Sequence, residues 1–164
     1  MDAEIALLRI LHILPGVIWV GSAIFVAWVV QPALKKTGPP HAGALMSNML
    51  KPLMMTIHGS AAATIFFGIV MAFRVPGSDQ LWSTNWGTMI WLGFVLSVIG
   101  WGAGAFAGLT NKKMVRIGAS LQGQPSPEQG TEIARLRDRA ILFAKVGSLF
   151  VLAAVVCMAL VNHI

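Results

Sequence analysis

An all-α integral membrane bundle of four helices is the fold this sequence predicts, and three observations predict it. The 164 residues are 56% hydrophobic and only 11% charged, where a soluble domain carries about 25% charged residues. A single soluble core of this size could not hide so much apolar surface. The apolar residues fall into four runs, at about 10–30, 53–73, 88–108 and 140–162. Each is close to the ~20 residues, at 1.5 Å apiece, that cross a hydrocarbon core. The charged residues gather between these runs. The net charge of +6 is therefore a property of two connecting loops and not a nucleic-acid footprint, and the implied partner is the lipid bilayer.

The first run follows Asp2 and Glu4, whereas a signal peptide opens with a positive region. It is read as a membrane helix of the mature protein. Gln31-Pro32 is expected to end it, and Lys51-Pro52 to precede the second run. Val75-Pro76-Gly77 follows the second, and Thr110-Asn111-Lys112-Lys113 closes the third. The loop at 109–139 has a tip at Gln122–Pro127, after which Ser126 and Pro127 read as the N-cap and first turn of a short juxtamembrane helix. Residues 1–164 form a single transmembrane domain in this reading.

Orientation follows from the lysines and arginines. Lys35, Lys36 and Lys51 lie after the first helix, and Lys112, Lys113, Arg116, Arg135, Arg137 and Arg139 after the third. With Lys145 these are ten of the twelve; only Arg9 and Arg74 fall on the other side. The basic loops are expected to be cytoplasmic, with both termini on the opposite side. Trp82, Trp86 and Trp91 would form an outer aromatic belt. The expected location is the bacterial inner membrane.

Gly93, Ser97, Gly100, Gly104 and Gly108 recur every three or four residues in the third run. They are expected to let a neighbouring backbone approach closely, as is the small run Gly59–Ala63 in the second. The same smallness would also admit a flat cofactor.

Ionisable groups at membrane depth are costly, so each needs a reason. His12, His58 and Lys145 are the three in this chain. Gly16 and Trp19 share the His12 face, and Pro15 should kink the helix there. Neutral imidazole inside a helix bundle is a good axial ligand for haem iron; the alternative is an interhelical hydrogen bond. By depth the two histidines are offset by roughly 10–20 Å, so a shared iron requires stagger or a kink. Otherwise there are two sites, or one histidine is structural. Lys145 either snorkels to the interface or pairs with an anionic cofactor group such as a haem propionate.

Met46, Met49, Met54 and Met55 lie near His41 and His58 in sequence, a donor set that suits Cu(I). Methionine is equally a filler of apolar segments. His163 is terminal. Cys157 stands alone in an apolar run, which excludes an internal disulfide and a cysteine-based metal knuckle. No phosphate-binding glycine loop, acidic pair or Ser/His/Asp set supports a hydrolase or a nucleotide-driven pump.

The stretch Leu11-His12…Trp19-Val20-Gly21, followed by Pro32, resembles the opening helix of the CopD/HemJ-like membrane proteins. A second-helix histidine and a late-helix lysine, matched by His58 and Lys145, are similar too. The resemblance implies a small four-helix membrane protein that binds haem b through His12, with His58 second. In that family HemJ-type members oxidise protoporphyrinogen IX and CopD-type members are associated with copper. This chain has no tyrosine and lacks the aromatic, arginine-containing segment after the first-helix glycine of HemJ-type enzymes. The expectation is therefore haem-based electron transfer or redox chemistry, alone, as a homo-oligomer, or as a subunit of a larger membrane complex. Copper or small-solute transport and a purely structural membrane subunit are the competing expectations.

Overall fold

The computed structural model describes residues 3–38, 41–75, 77–121 and 123–160. It contains four helices long and apolar enough to cross a membrane: α1 (Ala3–Thr37), α2 (His41–Arg74), α3 (Asn85–Ala119) and α4 (Pro127–Leu160). A short 3₁₀ turn at Ser78–Trp82 precedes α3, and no strand occurs among the described residues. His163 and the end of the fourth predicted span lie outside the described residues.

Each helix is longer than the apolar run that predicts it. At 34–35 residues and 1.5 Å per residue they reach roughly 50 Å, against a hydrocarbon core of about 30 Å. Most of the excess lies at the basic end. The stretch 109–139, expected as a loop with a short helix, is helical except for the connection between Ala119 and Pro127. Hydropathy finds only the part of a helix that lipid would solvate, and lysine, arginine, glutamate and methionine continue a helix equally well in water. The start of α4 matches the sequence. Ser126 Oγ accepts the Gln129 N–H at 3.2 Å, and Gln129 Oε1 accepts the Ser126 N–H at 2.9 Å, a reciprocal cap.

Two prolines expected as boundaries are helix-internal instead. Pro52 lies within α2. Gln31-Pro32 does not end α1; the chain makes a π-helical turn over Val26–Val30 and continues to Thr37. Pro32 has no N–H to return to Trp28, four residues back. The Gln31 N–H bonds to the Val26 carbonyl, five residues back, which absorbs the mismatch by widening one turn. Gln31 thereby becomes a fully buried side chain.

The helices form a ring of antiparallel neighbours. The α3–α4 pairing is the closest, and α1–α2 is next. A methyl on Gly100 would lie 2.6 Å from Val151 Cγ2 and 3.0 Å from the Gly147 carbonyl; one on Gly147 would lie 2.9 Å from the Gly100 carbonyl. Gly93 is likewise closed by Met158 at 2.6 Å. The expected glycine face thus packs on α4 at Gly93 and Gly100, with backbone against backbone at Gly100, whereas a methyl on Gly104 would meet nothing within 4 Å. Gly108 faces α2 instead, against Met54.

Trp19, Ala61 and Val151 form the buried centre, joining α1, α2 and α4. Leu34, Ala42 and Met46 form a second cluster at the basic end. Outside, the helices present large apolar side chains such as Val17 (66% exposed), Phe66 (58%) and Leu149 (53%). So extensive an exposed apolar surface suits a protein solvated by lipid. Trp82 stacks on Trp91, ring centroids 4.8 Å apart, at the end opposite the basic one.

Candidate functional site

His12 points from α1 into α2. Its Nδ1 lies 2.8 Å from the Thr64 carbonyl oxygen. A carbonyl can only accept, so Nδ1 carries the proton and donates, and the lone pair is left on Nε2. Two small residues permit this seat. Gly16, one turn on, faces Thr64, whose Cγ2 would be 3.4 Å from an added methyl. Gly68 lies against the ring itself, with His12 Cε1 2.8 Å from where its Cβ would be. The shared face of His12, Gly16 and Trp19 read from the sequence is therefore the α2-facing side of α1. Pro15 sits inside α1, which continues as a helix through it.

His58 is bound the opposite way. Trp101 Nε1 donates to His58 Nδ1 at 2.8 Å. Indole can only donate, so the Nδ1 lone pair is occupied and the neutral ring carries its proton on Nε2. In this arrangement neither nitrogen of His58 offers a free lone pair, whereas His12 offers one.

The structure does not bring the two histidines together. His12 meets α2 between Thr64 and Gly68, six to ten residues beyond His58. That is roughly 9–15 Å along the helix axis, too far for one iron.

His58 faces a cavity of about 60 Å³ at the centre of the bundle, together with Trp19, Gln31, Met54, Asn111 and Ser148. Gln31 and Asn111 are 2% and 4% exposed. Gln31 Nε2 and Asn111 Oδ1 are buried without a hydrogen-bond partner. Sequence reasoning missed both, because Gln31 turns inward only through the π turn and Asn111 reads as part of a basic loop. A porphyrin needs a space of the order of the ~300–1,000 Å³ of ligand pockets, so this cavity does not fit one. On donor chemistry, His12 Nε2 keeps a lone pair that could meet a metal, whereas the Nδ1 lone pair of His58 is already engaged by Trp101.

Lys145 rests over the ring of Trp28, Nζ 4.7 Å from its centroid. Trp28 Nε1 in turn donates to Ser148 Oγ at 3.0 Å, and that hydroxyl donates to the Lys145 carbonyl at 2.8 Å. The lysine is held by α1 through a cation–π contact.

The methionines are dispersed. Met46 is buried with Leu34 and Ala42, Met54 faces the cavity beside His58, and Met55 is 67% exposed. His41 opens α2 on the surface. Among the described residues no three histidine, cysteine or acidic side chains come together as a metal cluster. Compared with protein-family models, with curated proteins and with solved structures, the chain matches none.

Proposed function

We propose that this chain is a membrane-embedded b-type haem protein with His12 as its axial ligand. The observation that carries the reading is the His12–Thr64 hydrogen bond. It fixes the tautomer and the ring plane and leaves Nε2 free, the support a ligating histidine requires from its surroundings. The resemblance of the first helix to CopD/HemJ-like proteins favours the same residue. Haem bound there would supply one-electron exchange between ferrous and ferric iron. The chain's own part is to present Nε2 from α1 and to hold the ring between Thr64 and Gly68.

Because the central cavity is too small for a porphyrin, the macrocycle would lie outside it. The partner that covers it would be lipid, a second copy of the chain, or another subunit of a membrane complex. Within this reading His58 is a bundle residue tied to Trp101, and Lys145, held over Trp28, is the candidate partner for an anionic cofactor group. The positive-inside bias supports a topology with both termini on the non-cytoplasmic side, and the membrane we propose for it is a bacterial inner one.

Visible spectra of the detergent-purified protein, oxidised and dithionite-reduced, test the proposal. A Soret band retained in His58→Ala and lost in His12→Ala is the expected result. A featureless wild-type spectrum from haem-replete cells would overturn it.

A further inference from the structure

We infer that a groove between α3 and α4 at the basic end binds an acidic phospholipid. The inference rests on the chain spanning a bilayer and is independent of whether His12 holds a haem. The groove encloses about 280 Å³. Phe106 and Leu109 of α3 and Leu136 of α4 form its apolar floor, and Lys113, Arg135 and Arg139 form its rim. Phe106 is 44% exposed and Leu109 60%, so the floor opens sideways, as a site filled from the lipid phase requires.

The groove crosses the boundary between the third apolar run and the polar extension of the bundle. Phe106 and Lys113 are seven residues apart, roughly 10 Å along the helix axis. One ligand can therefore lay an acyl chain on Phe106 and Leu109 while its phosphate meets the rim. Three cations face a single carboxylate there. Glu132 holds Lys113 at 3.0 Å and Arg135 at 2.8 Å. Arg139, exposed and one turn beyond Arg135 on the same face, has no carboxylate partner among the described residues. The surplus is two positive charges; the Arg135 fork is engaged by Glu132, so the Arg139 guanidinium is the one whose fork is left to match phosphate oxygens. A zwitterionic lipid brings its own ammonium to that rim and loses the advantage. A soluble anion would leave the apolar floor uncovered.

Native mass spectrometry of the detergent-purified full chain, titrated with phosphatidylglycerol or phosphatidylcholine of identical acyl chains, decides the matter. The wild type is expected to retain phosphatidylglycerol preferentially. Arg139→Gln should reduce that preference about five-fold, the usual worth of one cation near an anionic headgroup. Arg116→Gln, which removes a cation at the same end of α3 but outside the groove, should leave it unchanged. Arg139 makes no hydrogen bond or ion pair among the described residues that its loss would break, and circular dichroism should show an unaltered helical fold. Equal retention of the two lipids by the wild type, or equal loss of preference in both variants, would overturn the site. Carbonate extraction of expressing membranes checks the premise separately: an integral protein stays in the pellet.

Discussion

Gly68 lies directly against the imidazole of His12, so that a methyl group there would sit 2.8 Å from Cε1 and 2.9 Å from Nδ1. In a helix interior alanine is ordinarily preferred to glycine by about 0.5–1 kcal/mol. Here the ring would have to leave Thr64, and overpacking of this kind costs about 1–3 kcal/mol. Gly68→Ala is therefore expected to be destabilising in detergent-based unfolding, and to shift or abolish any Soret band. Gly59→Ala, where nothing lies within 4 Å, should be neutral or stabilising. If the two alanines behave alike, Gly68 does not seat the histidine.

The two membrane-depth histidines should be opposite tautomers. The carbonyl of Thr64 fixes the proton of His12 on Nδ1, and the indole of Trp101 fixes that of His58 on Nε2. Nitrogen-15 spectra of selectively labelled protein distinguish protonated from unprotonated ring nitrogens. Trp101→Phe, which deletes the donor to His58, should blur the His58 assignment, leave His12 untouched and cost about 0.5–1.5 kcal/mol. A single shared tautomer in the wild type would refute the division of roles drawn from these two bonds.

Much of this architecture is legible from the residues because lipid-facing helices must be apolar along their length. The four runs, the glycine face of α3 and the Ser126 cap all follow from local chemistry. The helix extensions at the basic end are not legible by hydropathy, since Lys112–Ala119 and Pro127–Arg139 remain helical while looking like loop. The partners of the histidines are not legible either. Thr64 contributes a backbone carbonyl, which every residue possesses, and Trp101 reads as one more apolar residue of a span. Gln31 is hidden for a third reason: its inward direction depends on one widened turn that Pro32 imposes from the next position.

The Gly100–Gly147 contact should be the least forgiving point of the bundle. Each glycine has the other's carbonyl about 3 Å from where its Cβ would be, and backbone cannot move aside as a side chain can. Gly100→Ala is expected to cost about 1–3 kcal/mol in unfolding measurements. Gly102→Ala, on the same helix with open space around it, should cost nothing. Equal stability of the two variants would place the α3–α4 crossing elsewhere.

Glu132 ties the polar extensions of α3 and α4 together. Its hydrogen bond from Arg135, and then that from Lys113, holds its carboxyl down to about 2 against an ordinary 4.5. A folded-state value below the unfolded one means that the ionised carboxylate favours the folded arrangement. That contribution is complete above pH about 4.5 and is lost as the pH falls from there towards 2. Lys113 and Arg135 are exposed and Glu132 partly so, so the effect belongs to this local network and salt should weaken it. Carboxyl carbon-13 titration of the wild type should give a midpoint near 2 for Glu132. In Arg135→Gln the midpoint should rise towards 4.5, and by more than in Lys113→Gln, since Arg135 is the larger cause. A wild-type midpoint already near 4.5 would mean that the three side chains do not hold one another in solution.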